Sequence, residues 1–536
     1  MVLFFTFVTA ILISLALIPL LMRYASFFNM VDEPNERKVH TVAIPKCGGL
    51  GLALGAIIAI FLFISLEKEL VTFMAGGFVI IIFGLLDDRF ELSYKWKFIG
   101  QFCAVFVTMS GGVYIAVIPF FGLEPGLLII SLPLTVFFAV GVTNAVNLSD
   151  GLDGLAAGIM LMTFSSIAYL AIDANGIDAA IIALAVAGGI VGFLWFNTHP
   201  AIIFMGDTGS QFIGFMAVFL TIYLTQNVNP ALNPALPLLL LGLPILDTLT
   251  VMVRRIRAGI SPFSADKTHI HHRLMEYGFS HPEAVSSIYV LQSIFLASAL
   301  RFRYASDIVV IGTYLIISAT ILLFFYWAEV RKWTLHKFEE GADHRRSRLL
   351  RSNWIFQFCR YFINYAIAFF LSTQLFILTD RVISLSNEIY LGMGLGIAFF
   401  LMSSKKIQDI WIRFSVYTAA IVASAMDNEI PELVAHTHWV MDVFLLVLII
   451  VVSIAIRTTR KEKFRITPQD VLVVFFIMAC IFLVDLKWIE HVAFRLFCLV
   501  YALEYLLQRD FYKFRLTRYF AMLSGVIIFS IVVSTL

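Results

Sequence analysis

The chain has 536 residues, of which 60% are hydrophobic and 14% charged. A water-soluble globule holds about half apolar and about a quarter charged residues, so this composition excludes an ordinary soluble domain and points to lipid as the solvent. The formal net charge of +2 marks no polyanionic partner, and no nucleic acid is expected. Five cysteines (Cys47, Cys103, Cys359, Cys480, Cys498) lie without CxxC spacing and imply neither a disulfide framework nor a zinc site.

In chain order, apolar runs long enough to span a bilayer are expected near 3–22, 48–66, 70–86, 98–118, 126–142, 155–172, 178–195, 209–225, 235–253, 283–300 and 306–329. Seven more are expected near 353–378, 387–403, 407–426, 437–456, 469–485, 489–506 and 518–535. The fold class is therefore all-α, a polytopic transmembrane helical bundle. The first run lacks a basic n-region, and Arg23 follows it, so it reads as an uncleaved span rather than a secretion signal. Alternate loops carry Lys and Arg, among them Arg37, Lys38 and Lys46, then Arg89, Lys95 and Lys97, then Arg254 to Arg273. The intervening loops are short and poor in them. The positive-inside rule puts the basic loops in the cytoplasm and both chain ends outside. The dense charge run from Arg331 to Asn353 divides a domain at 1–330 from a second at 353–536, with 331–352 as a basic cytoplasmic linker.

Ionisable residues in or beside spans are costly and are functional candidates by default. Five loops on the expected cytoplasmic side hold them. DEPNERKVH (32–40) precedes PKCGG (45–49), where glycines permit close backbone approach. Asp87 and Asp88 end an apolar span, and paired carboxylates suit a divalent cation or a shared proton. NAVNLSDGLDG (144–154) holds two Asn and two Asp beside a helix start, more than capping requires. FNTHPAIIFMGDTGS (196–210) brackets Asp207 with glycines at another helix start, an arrangement suited to a metal-bridged phosphate. SPFSADKTHIHH (261–272) sets three imidazoles in four positions. No Cys or Glu at helical spacing completes a zinc shell there, and hydrogen bonding to a pyrophosphate is the better reading. Together the loops describe phosphoryl transfer on a soluble diphosphate. No Walker-type GxxxxGK[ST] is present. A lipid or sugar transporter would also suit the span count, but transporters keep their polar residues near mid-membrane at broken helices.

In this order, the five stretches resemble the polyprenyl-phosphate N-acetylhexosamine-1-phosphate transferases, over about the first 330 residues. They look most like the bacterial branch acting on undecaprenyl phosphate with GlcNAc, in pathways such as O-antigen and lipopolysaccharide synthesis. The resemblance implies Mg²⁺, with Mn²⁺ as an alternative, held by Asp207. It implies Asp87 and Asp88 beside the metal and the lipid phosphate, one of them a candidate base or phosphate-positioning group. Asn147, Asp150 and Asp153 would line the nucleotide site, with Gly151 and Leu152 against uridine and Phe204 stacked on uracil. Asn197 would lie near the diphosphate, and His269, His271 and His272 would contact it or the leaving UMP, helped by Arg257. The implied partners are a UDP-sugar donor, an undecaprenyl phosphate acceptor and membrane lipid, and a homodimer is compatible. The implied location is the bacterial inner membrane. Direct attack by the lipid phosphate and a two-step aspartyl-phosphate route both fit these residues. Muramyl-pentapeptide transferases, the alternative branch, carry three consecutive histidines where this chain has His269-Ile270-His271-His272. The family fold ends near residue 330, and the residues beyond it suggest no function.

Overall fold

The computed structural model describes residues 2–32, 43–64, 68–122, 128–261 and 268–335, and beyond these 358–359, 361–369, 444, 447–448 and 451–452. The expected loop 33–40, residues 262–267, the linker from 336 and nearly all of the seven later spans lie outside the described residues. The chain divides into two compact units, Met1–Lys337 and Phe338–Leu536. In the second, the described residues are helical, and Phe369 meets Phe444 edge-on.

The first unit is built of helices. α1 (Val2–Tyr24) leads to a two-residue antiparallel ribbon, β1 (Val31–Asp32) with β2 (Ile44–Pro45). Then follow α2 (Gly48–Phe63), α3 (Lys68–Phe90), α4 (Tyr94–Ser110), α5 (Leu128–Leu148), α6 (Leu155–Asp173), α7 (Ile177–Asn197) and α8 (Gly206–Tyr223). After a π-helical turn at Leu224–Val228 come α9 (Leu236–Leu240), α10 (Gly242–Arg257), α11 (Ile270–Glu276), α12 (His281–Arg301) and α13 (Asp307–Val330). Among the described residues, eight helices are long and apolar enough to cross a membrane. This is a multi-pass membrane protein. α8 is the axis of the bundle: 94% of its apolar window is buried, against 22% for α1 and 28% for α13. α3, α5, α2 and α6 pack around α8. α1 and α13 are apolar but little covered by the described residues, as suits helices at the rim of a membrane bundle.

Two differences from the sequence expectation shape the site. The span expected at 70–86 runs on to Phe90, and the one expected from 209 begins at Gly206, so Asp87, Asp88 and Asp207 lie in terminal helical turns. The span expected at 235–253 is two helices broken at Leu241. Pro244 cannot donate to the carbonyl of Leu240 and crowds it. That carbonyl is taken instead by Gln292 Nε2 at 3.0 Å and Thr163 Oγ1 at 3.3 Å, while Gln292 Oε1 accepts from the amide of Leu243 at 3.3 Å. The break in the bundle interior is thus closed by side chains of α6 and α12.

Candidate active site

Because the helices alternate in direction, the C-terminal ends of α3, α5 and α7 and the starts of α4, α6 and α8 meet at one end of the bundle. The loop before α2 is drawn into the same place. The amides of Gly48 and Gly49 donate to the carbonyls of Phe204 and Met205 at 3.0 and 2.8 Å, and the Phe204 amide donates to Pro45 O at 2.8 Å. This extends the strand end along the segment that leads into α8.

Asp88 faces the start of α8. One carboxylate oxygen accepts from the Asp207 amide at 2.8 Å; the other accepts from the Thr208 amide at 3.0 Å and its hydroxyl at 2.5 Å. An N-terminal turn leaves unpaired amides, and Asp88 of α3 supplies their cap from outside the helix. Gly206 permits this approach. Its φ is +70°, and a Cβ there would stand 2.7 Å from an Asp88 oxygen and 2.5 Å from the Lys46 carbonyl. Asp88, expected beside the metal, is therefore engaged in fixing Asp207.

Asp87 is disposed differently. One oxygen accepts from the Leu92 amide at 2.8 Å, and the other lies 2.5 Å from Lys97 Nζ, which stands 2.8 Å from Asp207 Oδ2. Two carboxylates from α3 and α8 thus converge on one cation position, held here by the ammonium of α4. Two hard oxygen donors aimed at one point are a donor set that fits Mg²⁺. Lys97 was read from sequence only as a positive-inside residue; a cation one turn into the helix after LLDDR was the available signal.

Asn147 accepts from the Ser210 hydroxyl at 2.5 Å, tying α5 to α8 beside Asp207. Asp150 lies in the α5–α6 loop. Desolvation of its carboxyl, with repulsion from Asp207, Asp153 and Asp88, raises its pKa to about 7. Asp153 accepts from the Ala201 amide at 3.1 Å and faces His199 Nδ1 at 2.7 Å. Asn197 is buried, accepting from the Gly154 amide and donating to the Ile203 carbonyl, both at 2.8 Å. Both ends of its amide are tied to backbone, which makes it a brace between two loops. Phe204 is part-exposed and Leu152 half-buried beside the exposed Gly151.

The histidines join this cluster through Gly151, where a Cβ would fall 2.2 Å from His271 Nε2. His271 is buried; desolvation, then His272 beside it, pushes its pKa down to about 3, so the ring is neutral. Its Nε2 is buried with no hydrogen-bond partner among the described residues. His269 is oriented by Asp247 of α10, whose carboxylate takes His269 Nδ1 at 2.9 Å and the Ile270 amide at 2.8 Å. Asp247 was missed because it lies within an apolar run. His272 stacks obliquely on His271, 4.2 Å between centroids. Arg257 ends α10 exposed, and Arg255 is the buried arginine of that turn.

A multi-pass bundle with carboxylates, a lysine and imidazoles gathered at one end defines a membrane-embedded transferase acting on charged groups. The family model described as Glycosyl transferase family 4 matches residues 70–225. A probable undecaprenyl-phosphate N-acetylglucosaminyl 1-phosphate transferase of Bacillus subtilis (strain 168) is 38% identical over 304 residues, 56% of this chain and 85% of the relative. A decaprenyl-phosphate N-acetylglucosaminephosphotransferase of Mycolicibacterium smegmatis is 35% identical, over 55% of this chain and 82% of its own. An undecaprenyl-phosphate alpha-N-acetylglucosaminyl 1-phosphate transferase of Yersinia pestis is 28% identical, over 63% and 94%. The chain belongs to this family of polyprenyl-phosphate N-acetylhexosamine-1-phosphate transferases and is an enzyme of that kind.

Proposed function

We propose that the protein transfers GlcNAc 1-phosphate, or a related N-acetylhexosamine 1-phosphate, from a UDP-sugar to undecaprenyl phosphate. UMP leaves, and the product begins a cell-envelope glycan at the cytoplasmic face of the bacterial inner membrane. The observation that carries this reading is the convergence of Asp87 and Asp207 on one cation position, with His271 Nε2, unpartnered among the described residues, in the same cluster. The activities for which the relatives are named support the sugar and the lipid, and the basic loops support the face.

A lipid phosphate oxygen attacks the β-phosphorus of the donor, and the bond from that phosphorus to the α-phosphate oxygen breaks, releasing UMP. Asp207 and Asp87 would hold Mg²⁺, which when bound neutralises the diphosphate charge and steadies the leaving phosphate. Until the ion takes that position, Lys97 balances the two carboxylates and orients them. The neutral His271 offers a ring N–H to a phosphate oxygen, and His269, set by Asp247, lies alongside with its ring 5.8 Å from that of His271. Asp150, its pKa raised to about 7, lies in the α5–α6 loop beside this cluster.

The test is UMP release from UDP-GlcNAc by purified full-length protein, with and without undecaprenyl phosphate and Mg²⁺. Release is expected only with both present, and Asp207→Asn is expected to abolish it. Full turnover in that variant, or release independent of the lipid, would overturn the assignment.

A further inference from the structure

Asp153, His199 and His281 meet from three separate stretches: the α5–α6 loop, the α7–α8 loop and the first turn of α12. Each offers one ligand atom, and these atoms lie within 4.8 Å of one another. The two imidazoles stack nearly parallel, centroids 4.1 Å apart at 20°. We infer that these three residues form a binding site for a borderline divalent ion of the Zn²⁺, Co²⁺ or Ni²⁺ class, separate from the carboxylate pair of Asp87 and Asp207.

Four features support this. The donor set, two imidazole nitrogens and one carboxylate, is that of open zinc sites and is poorly suited to Mg²⁺, which prefers oxygen. The frame is built: α12 begins with a capping box in which Glu283 accepts from the Ser280 amide at 2.8 Å, so His281 stands on a fixed turn. Without the ion, the Asp153 amide donates to His281 Nε2 at 3.1 Å, which holds the ring against the loop, and ligation by His281 would replace this bond. His281 Nδ1 is nevertheless buried without a hydrogen-bond partner among the described residues, so its desolvation is uncompensated in this state. Ligands to one such ion lie about 2.0–2.2 Å from it, so closing the cluster asks for side-chain rotations of the order of an ångström. His199, whose side chain is 45% exposed, has room to make them. A bound ion would pin the two loops that border the carboxylate cluster to the start of α12.

The experiment is Co²⁺ titration of the purified full-length protein in excess Mg²⁺, which keeps the oxygen site filled, with visible ligand-field absorption as the readout. Neither donor nor acceptor is present, so the outcome is independent of the transfer reaction. One Co²⁺ per chain is expected, displaced by Zn²⁺. His281→Gln and His199→Gln should each weaken binding by about tenfold or more, with elution on gel filtration unchanged. His199 is on a surface loop, so its variant serves if His281→Gln misfolds. Absence of Co²⁺ binding, or wild-type binding in both variants, would overturn the inference. So would loss on His272→Gln alone, which would assign the ion to the histidine helix α11.

Discussion

The two ends of the first unit use polar residues in opposite ways. At the end away from the carboxylate cluster, Asn233 donates to Ala305 O and to Asp307, and the other oxygen of Asp307 accepts from the Phe120 amide. Gln226 accepts from the amides of Ala116 and Val117, and Arg303 pairs with Asp173 at 3.6 Å. Partners of opposite kind there tie one connecting stretch to the next, and like charges are not brought together, although Arg303 Nε is also buried without a partner among the described residues. At the other end Asp87 and Asp207 crowd one ammonium, the Asp150 pKa is raised to about 7 and His271 keeps a ring nitrogen unmatched among the described residues. Folding alone does not favour like charges together or a buried polar atom left single. Such local conflict marks where a ligand completes the structure.

The sharpest way to break this comparison is inside one dipeptide. Asp87→Asn should reduce UMP release by about 10²–10⁴-fold with the fold retained, because it removes charge from the convergent pair. Asp88→Asn should first lower thermal stability in detergent, by about 1–3 kcal/mol, since its amide group would face the Thr208 donors with a donor of its own. Equal losses of folded-state activity and no stability difference would erase the distinction between the two carboxylates. Next in size, Asp247→Asn should cost about 10–10²-fold in kcat with KM little changed, by misorienting His269. An unchanged kcat would remove Asp247 from the site. At the opposite end, Asp307→Asn should lower the melting temperature while leaving the kcat of the folded fraction unaltered. A kcat loss there comparable to Asp87→Asn would show that the two ends are not divided as described.

The carboxylates and histidines were legible in the sequence because Asp and His stand out in apolar surroundings, and because five loops share one face only if the spans alternate. Gly206 and Gly151 were legible as turns, but not as the points where Asp88 and His271 approach the backbone. Lys97 resembled any lysine flanking a span, and its role appears only when α4 lies beside α3 and α8. Asp247 was hidden because hydropathy averages over its neighbours, and its partner His269 is 22 residues away. The break at Leu241 depends on Thr163 and Gln292, far along the chain in either direction, and 235–253 was expected as one span; Pro244 was the local signal of a break, but not of the means of closing it.

The smallest expected effect concerns His271, and it tests whether the orphaned ring is neutral. Its folded pKa of about 3 lies below the ordinary imidazole value of 6.5. Above pH 6.5 the ring is neutral in both folded and unfolded chains and contributes no pH dependence. Between 6.5 and about 3 the unfolded chain takes up a proton that the folded chain refuses, so this residue's contribution to stability is lost as pH falls. Asp150 acts the other way, since its raised pKa makes the folded chain bind a proton first over the upper part of that range. The two must be separated by difference: melting temperatures of wild type and His271→Gln, measured from pH 7.5 to 5 (about the neutral-to-acid crossing of an imidazole). Wild type should lose more than the variant on acidification. Parallel curves would mean that the folded ring titrates as it does in the unfolded chain. A larger loss in the variant than in wild type would mean that His271 already carries its proton at pH 7.5, so that a positive charge rather than a neutral ring N–H faces Gly151.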